Sequence, residues 1–320
     1  MRVDDIFDPL LKMYCRILVT IATDARHNPF FKDWNLQIWV SKSNSNKFWG
    51  IWVYGIDIAH ILVSHFRVRM LNRAKELKRF TIDATDGEIG QAIDFYFDED
   101  RWTVRYIVVD AGAWFTVTRL LISPAAIFSV DWRSRYINTF LTRQEVKNSP
   151  TINPEAPLLR HSEIAFHDYY RYSYYWTGPN LWGAVATPGE LRNAGGTQFF
   201  PAVLEHAPQE SCLRSTNKIS RYQIAAKDGD IGYIEDVIID EETWAIRYLI
   251  VDTGDWWPGR KVMLSPQWIT HIRWGDRRVY IDLELEEIKN SPEYDESVMI
   301  DRDYEQRLYR YYGRSHYWND

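Results

Sequence analysis

Cysteine and histidine are scarce in this 320-residue chain, which has two cysteines and eight histidines. Cys15 and Cys212 lie far apart and form no Cys-x-x-Cys motif, which predicts free thiols in a reducing, cytoplasmic compartment. His161 and His167 are six residues apart, a spacing that does not place two metal ligands on one face of a helix. The sequence therefore predicts neither a disulfide framework nor a metal site.

Motifs that carry catalysis or cofactor binding are also missing. The chain contains no Gly-x-Ser-x-Gly, no P-loop, no Rossmann glycine set and no His-Glu-x-x-His. We therefore predict a protein without enzymatic activity and without a cofactor. The alternative, an enzyme, would need a deep polar cleft between the two repeats described below, with carboxylates of shifted pKa inside it.

Positive charge is in deficit over most of the chain, whose formal net charge is −6. Residues 1–69 contain nine Lys and Arg against six Asp and Glu and carry +3, which leaves −9 for the remainder. Nucleic acid backbones are bound by clustered Lys and Arg. Direct binding of nucleic acid is therefore not expected.

Only one run approaches the length of a membrane span, at residues 48–66. Asp57 and His60 lie in its middle, and a charged side chain at the bilayer centre costs roughly 2.5–3.5 kcal/mol. The first residues include Asp4 and Asp5, where a secretory signal would be basic. We expect neither a membrane span nor a signal peptide.

A long internal repeat is the main feature that the sequence does contain. Asp86-Gly87-Glu88-Ile89-Gly90 returns as Asp228-Gly229-Asp230-Ile231-Gly232, an interval of 142 residues (229 − 87). The same interval relates further pairs without a gap: Trp102 with Trp244, Arg105-Tyr106 with Arg247-Tyr248, Asp110-x-Gly112 with Asp252-x-Gly254, Arg160-x-x-Glu163 with Arg302-x-x-Glu305, and Tyr175-Trp176 with Tyr317-Trp318. Each copy is long enough to be a domain, so we interpret the chain as two copies of one unit.

Short strands and tight turns are predicted within each copy. Ile93, Phe95 and Phe97 alternate with polar residues, which indicates a strand with one buried face. The next strand, at 102–109, ends in an apolar run typical of a central, buried position. Six glycines are predicted to define turns and bulges: Gly87, Gly90, Gly112, Gly229, Gly232 and Gly254. The expected fold class is mainly β, with two small closed or nearly closed barrels.

Each copy is predicted to end in a short helical tail. Tyr304, Leu308 and Tyr311 share one face of a helix that Gly313 is placed to terminate. Aromatic residues of the two tails form the candidate interaction surface: Tyr169, Tyr170, Tyr175, Trp176, Tyr311, Tyr312, Tyr317 and Trp318. Two alternatives remain open: each tail seals its own barrel, or each packs on the opposite copy.

Two sets of charged residues are further candidates. The acidic segments 98–100 and 240–242 are predicted to be solvated hairpin turns, with a calcium site as the alternative. Arg105 and Arg247 are predicted to form structural ion pairs with Asp94 and Asp236 respectively. The alternative is that these arginines bind an acidic partner.

A recurring pattern in both copies resembles the PRC-barrel family. It consists of Gly-x-Ile-Gly, an acidic hairpin, Arg-Tyr before an apolar run that ends in Val-Asp, and an apolar-Ser-Pro segment, over residues 71–176 and 213–318. The family includes the cytoplasmic domain of the photosynthetic reaction-centre H subunit and the C-terminal domain of the ribosome-maturation factor RimM. The tail segments ending in Lys-Asn-Ser-Pro are similar to those of stand-alone bacterial members with two copies. The resemblance implies two tandem PRC-type β-barrels that serve as a scaffold or docking surface, with no shared catalytic residues.

The resemblance and the repeat also set the expected domain limits. We predict an N-terminal extension at 1–69, copy one at 70–176, a Gly/Pro-rich linker at 177–212 and copy two at 213–320. The segment from Met70 to Lys75 resembles the start of family members, so native synthesis is expected to begin at Met70. The alternatives for residues 1–69 are a true small domain or an anchoring arm, and Gln198-Phe199-Phe200 is a candidate anchor within the linker.

The leading functional hypothesis is a non-enzymatic module that binds an unidentified protein partner or forms a homo-oligomer. One alternative is a membrane-linked accessory factor of the reaction-centre H-subunit type that tunes electron or proton transfer, which would require residues 48–66 to insert in lipid. Another is a ribosome-maturation docking factor, which would co-sediment with ribosomal subunits in a salt-sensitive way.

Overall fold

The structure is a computed structural model that describes residues 38–42, 49–53, 71–112, 119–150, 158–195, 212–254 and 259–318. The chain divides into two units, Met1–Val68 and Arg69–Asp320. In the first unit, β1 (Ile38–Lys42) pairs with β2 (Trp49–Val53) in an antiparallel hairpin. The apolar run at 48–66 thus contains a β-strand, and its remaining residues lie outside the described ones, as do Cys15 and Met70. Among the helices that the structure describes, none has both the length and the apolar character to cross a bilayer.

The first seven-stranded sheet is built mainly from copy one. Its six strands from that copy are β4 (Thr81–Ala84), β5 (Gly87–Asp98), β6 (Thr103–Asp110), β7 (Arg119–Ile122), β8 (Ile127–Asp131) and β9 (Tyr136–Thr139). They are ordered β7-β6-β5-β4-β9-β8, and every neighbouring pair is antiparallel except β4 and β9. The alternating residues Ile93, Phe95 and Phe97 lie in β5, and β6 is buried along almost its whole length.

The second seven-stranded sheet repeats this arrangement in copy two. Its strands are β11 (Gln223–Ala225), β12 (Asp230–Asp240), β13 (Ile246–Asp252), β14 (Lys261–Leu264), β15 (Ile269–Arg273) and β16 (Arg278–Ile281). The order is β14-β13-β12-β11-β16-β15, with β11 and β16 parallel. The fold is therefore mainly β, as the repeat predicts.

Neither sheet closes into a complete barrel. Within the described strands, β7 and β8 end the first ladder without pairing to each other, and β14 and β15 end the second in the same way. Each of these pairs is joined by a 3-10 turn, Pro124–Ala126 or Pro266–Trp268, capped by the preceding serine. The serine cap and the fixed φ of the proline favour this short helical turn, and the two strands that it joins do not pair with each other. The expectation of closed or nearly closed barrels is corrected to two sheets that do not close.

The seventh strand of each sheet comes from the other copy. β3 (Leu71–Arg73), at the start of copy one, pairs with the end of β12 in copy two. β10 (Leu213–Ser215), at the start of copy two, pairs with the end of β5 in copy one. The two copies also meet directly, since the Val104 N–H donates to the Trp244 carbonyl over 2.8 Å and the Ile246 N–H to the Trp102 carbonyl over 2.6 Å. Exchange of strands makes the two copies parts of one hydrophobic core.

Seven short helices accompany the sheets. They are α1 (Ala74–Leu77), α2 (Arg143–Asn148), α3 (Arg160–Tyr170), α4 (Pro188–Asn193), α5 (Thr216–Ile219), α6 (Leu285–Lys289) and α7 (Arg302–Tyr312) among the described residues. The capping box from Thr142 to Glu145 begins α2, and Gly313 ends α7 in a left-handed conformation. Helices α3 and α7 are the tails of copies one and two.

Aspartates at equivalent positions cap the exchanged segments. Asp94 accepts hydrogen bonds from the Ser215 hydroxyl over 2.5 Å and from the Asn217 N–H over 3.0 Å, at the N-terminus of α5. Asp236 accepts from the Lys75 N–H at 3.3 Å, at the N-terminus of α1. Carboxylates are favourable partners for the free N–H groups of a helix start. Asp94 and Asp236 therefore hold the two copies together and are not the partners of Arg105 and Arg247.

The glycines of the repeated Gly-x-x-Gly motif, Gly87 and Gly90 with Gly229 and Gly232, lie at or near the start of β5 and β12. A side chain at Gly90 would place its Cβ 2.0 Å from the Asp110 carbonyl oxygen, and one at Gly232 would lie 2.0 Å from that of Asp252. Backbone contact this close excludes any residue with a Cβ. Gly112 and Gly254 follow the next strands, at the turns after β6 and β13.

Candidate functional site

The acidic hairpins end in buried ion pairs. The Arg105 Nε donates to Asp98 over 2.6 Å, and the Arg247 Nη2 lies 3.0 Å from Asp240. The β5–β6 ladder pairs Tyr96 with Tyr106 and then Phe97 with Val104, so Arg105 lies in a bulge within reach of Asp98. The predicted ion pairs thus exist, but with the first aspartate of each hairpin as partner.

The expectation that these acidic segments are solvated holds only for their outer residues. Asp98 and Asp240 are buried, whereas Asp100 and Glu242 are exposed. Burying a carboxylate requires a charged or hydrogen-bonding partner, which the arginine of the same hairpin supplies. In the part of the chain that the structure describes, no group of three His, Cys, Asp or Glu side chains is arranged to hold a metal ion.

The aromatic tails pack mostly on their own copies. Tyr175 and Tyr312 are buried, and four others are partly buried against the core: Tyr170, Trp176, Tyr317 and Trp318. Only Tyr169 and Tyr311 of the eight candidate residues have exposed side chains. The structure therefore places most of the predicted interaction surface inside the fold, because these rings cover the sheet of the copy to which they belong.

A buried glutamate connects each tail to its sheet. Glu163 on α3 accepts hydrogen bonds from the Tyr106 hydroxyl at 3.1 Å and the Tyr175 hydroxyl at 2.5 Å, and it pairs with Arg160 at 2.7 Å. Burial, followed by the nearby Glu163, raises the pKa of Tyr175, which keeps that hydroxyl protonated and able to donate.

Copy two repeats the same network. Glu305 accepts from the Tyr248 hydroxyl at 2.8 Å and the Tyr317 hydroxyl at 2.6 Å, and Arg302 lies 3.0 Å away. Three matched segments of the repeat meet at this glutamate: Arg-x-x-Glu, Arg-Tyr and Tyr-Trp. Their recurrence in the sequence is thus explained by a common structural network.

The segment after copy one, residues 177–193, forms an ordered strap. Trp182 lies in its middle with 0% of its surface exposed, and its indole Nε1 donates to the Thr243 carbonyl over 2.7 Å. The strap ends in α4, which begins with a capping box between Thr187 and Glu190 and packs on the turn Pro124–Ala126. Part of the predicted irregular linker is therefore folded, whereas Gln198-Phe199-Phe200 lies outside the described residues.

The strap completes a three-layer stack in copy one. The guanidinium of Arg105 lies 4.2 Å from the ring centroid of Tyr175 and 4.7 Å from that of Trp182. Arg105 also donates to the Leu181 carbonyl over 2.7 Å. Arg101 donates to the carbonyls of Tyr175, Gly178 and Asn180. Cations between aromatic faces gain most when water is excluded, as it is here.

Sequence reasoning did not identify Trp182. Two signals were present: a bulky apolar cluster from Leu181 to Val185 inside a Gly/Pro-rich segment, and the pattern Thr187-Pro188-x-Glu190, which is typical of a helix start. The local composition of glycine and proline indicated an irregular connection and concealed both signals.

A cleft with a volume of ≈ 820 Å³ opens at the junction of the two copies. Copy one contributes Arg101 and Trp102, and copy two contributes Arg247, Gln267 and Tyr317 among other lining residues. Residues 179–181 of the strap form part of the wall. Trp102 adopts a left-handed backbone with φ of 50°, a conformation that costs a non-glycine residue free energy. The cleft combines aromatic faces with charges of both signs, which suits recognition of a peptide.

A second, smaller cavity of ≈ 370 Å³ lies beside the exchanged helices α1 and α5. Lys78 and Asp236 line it, and Lys78 donates to the Asn217 side chain over 2.7 Å. Burial lowers the pKa of Lys78 and raises that of Asp236. Asp236 caps α1, and Lys78 on copy one contacts Asn217 on copy two, so this cavity belongs to the junction of the copies.

Comparison with known protein families gives a match for copy two. A family model described as PRC-barrel domain matches residues 217–287, which confirms the resemblance for that copy. The match includes β11 to β16 and most of α6. No curated protein matches the chain.

Proposed function

We propose that this chain, whose residues 217–287 match the PRC-barrel domain family, is a non-enzymatic protein-interaction module in which two tandem PRC-type units act as one body. The observation that carries the proposal is the cleft of ≈ 820 Å³ at the junction of the copies. Its walls present half-buried Tyr317 and Trp274 beside Arg101 and Arg247, the residue types that dominate binding energy at protein interfaces.

The strand exchange supports a docking role for this cleft. A binding site made from two domains is well defined only if the domains keep a fixed relation to each other. Here β3 and β10 cross between the copies, and Asp94 and Asp236 cap the helices that follow them. The cleft is thus a preformed site, which reduces the entropy lost on binding.

The proposal is tested by recovering partners of the full chain from its native cells with an affinity tag. The test variant is Gln267→Arg, which adds a longer, charged side chain at an exposed position of the cleft wall. The matched control is Gln144→Arg, the same change at an exposed position of α2 that does not line the cleft.

We expect one stoichiometric protein partner with the wild-type chain and with Gln144→Arg, and roughly tenfold less of it with Gln267→Arg. Equal recovery with all three chains would show that the cleft is not the docking site and would contradict the proposal.

A further inference from the structure

The two copies differ at one equivalent position in how an arginine is covered. Arg105 and Arg247 stack on Tyr175 and Tyr317 at 4.2 and 4.3 Å respectively. The second face of Arg105 is covered by Trp182, and 1% of its side chain is exposed. In Arg247, 14% of the side chain is exposed, and no second ring covers it among the described residues. Its exposed part lines the cleft.

The neighbouring 3-10 turns also differ in exposure, with the turn of copy one covered and the turn of copy two open. Ala125 in copy one is fully buried in the fold, beside the packed helix α4 of the strap. Its equivalent in copy two, Gln267, is exposed and lines the cleft. The cleft at the junction, which is the cleft of copy two, therefore corresponds in position to the site that the strap fills in copy one.

The carbonyl that accepts the hydrogen bond from Trp182 also has an equivalent at the cleft. In copy one, Trp182 donates to the Thr243 carbonyl. The residue 142 positions earlier is Arg101, which lines the cleft of copy two. Its carbonyl accepts one hydrogen bond, from the Thr103 hydroxyl over 3.0 Å, and a carbonyl oxygen can accept two.

We propose that the cleft of copy two binds a tryptophan-bearing turn of a partner protein, and that Trp182 on copy one is the intramolecular model for this contact. The partner's indole stacks on the free face of Arg247 opposite Tyr317, and its N–H donates to the Arg101 carbonyl. This inference rests on the proposed function and names the chemistry of the partner.

The strap supplies the probe for a direct test. A labelled peptide with the sequence of residues 177–193 is titrated into the full chain and followed by fluorescence anisotropy. The control peptide carries Trp182→Ala. We expect one peptide to bind per chain, with an affinity roughly tenfold or more above that of the control peptide, since a buried tryptophan is a frequent hot spot.

Variants of the protein locate the binding. Gln267→Arg and Thr270→Arg both change exposed residues of the cleft wall and are expected to weaken binding roughly tenfold. Gln144→Arg is expected to leave it unchanged. Binding that persists in both cleft variants would mean that the peptide displaces the strap from copy one, and it would overturn the assignment.

The remaining outcomes separate this inference from the proposed function. If the peptide does not bind but Gln267→Arg still loses its cellular partner, the tryptophan assignment fails and the docking function stands. If the peptide binds but no partner depends on Gln267, the docking function fails. A dimer in light scattering that Gln267→Arg dissociates would assign the cleft to a second copy of this chain and overturn the assignment to a separate partner.

Discussion

Glu163 and Glu305 are buried carboxylates, each surrounded by one arginine and two tyrosine hydroxyls. A carboxylate without such donors would be strongly destabilising at this depth. The network therefore fixes the position of each tail, because α3 and α7 carry the glutamates and the sheets carry one tyrosine of each set. A tail that leaves its sheet would leave the buried hydroxyl of Tyr106 or Tyr248 without its acceptor.

His167 is a residue whose protonation should affect the stability of copy one. Burial, together with the nearby Arg105 and Arg160, lowers its pKa from 6.5 to about 4, and its Nδ1 lies 2.8 Å from the Ser173 carbonyl. The folded state therefore favours the neutral ring. Above pH 6.5 the ring is neutral in both states, and as the pH falls from 6.5 to 4 only the unfolded state gains the proton.

We expect this residue alone to remove about 3 kcal/mol of unfolding free energy between pH 6.5 and pH 4. Urea unfolding of the wild-type chain and of His167→Gln across this range measures the difference. The variant is expected to lose less stability on acidification. Parallel pH profiles for the two proteins would show that His167 does not titrate in this way.

At the scale of single elements, α3 and α7 end differently at equivalent positions. Both helices end at a residue in the left-handed conformation. In α3 this residue is Arg171, with φ of 57°, and in α7 it is Gly313, with φ of 60°. Both residues are exposed. Side chains disfavour this conformation by roughly 1–2 kcal/mol, whereas glycine adopts it readily.

Arg171→Gly is therefore expected to raise the free energy of unfolding by about 0.5 kcal/mol, after the greater freedom of glycine in the unfolded chain is counted. Gly313→Ala is expected to lower it by about 1 kcal/mol. Thermal and chemical unfolding of both variants measure these changes. Destabilisation by Arg171→Gly would mean that the arginine side chain contributes more than its backbone strain costs.

The elements themselves were largely predictable, since alternation, turn glycines and capping boxes are local signals. The strands at 93–97 and 102–109 and the helix before Gly313 lie where the sequence indicates them. The strand exchange was not predictable. Both copies carry the same pattern, so β3 fits the edge of β5 and of β12 equally well at the level of sequence, and only the length and path of the connection decide.

The site was predictable only in part. The repeat drew attention to the aromatic and arginine residues, but the sequence did not show that tyrosines and arginines of each copy meet around Glu163 and Glu305. The partner of Arg105 was assigned wrongly because the bulge that brings it to Asp98 depends on the ladder register. Trp182 was missed because its role depends on a surface of the other copy, the Thr243 carbonyl.

At the scale of the whole molecule, the exchanged strands and the common core should make residues 69–320 unfold as one cooperative body. Asp94 caps a segment of copy two from within copy one, so its loss should weaken both. We expect Asp94→Ala to lower the free energy of unfolding by about 2 kcal/mol, because several donors are left without their acceptor.

Hydrogen exchange with mass spectrometry measures the protection of each copy separately. Peptides from β6 and from β13 are expected to lose the same protection in Asp94→Ala. The matched control is Asp131→Ala, an exposed aspartate that accepts hydrogen bonds only from the neighbouring turn. Loss of protection confined to copy one would show that the copies unfold separately.

The strand exchange also has a consequence for how such a molecule can evolve. In each sheet the seventh strand comes from the other copy, so an ancestor with one unit would need a second copy to supply that strand, and the pair would carry two identical clefts. Every mutation in that ancestor would have changed both clefts together. Joining two such units in one chain would remove this constraint, because one position can then hold the internal Trp182 while the other stays accessible.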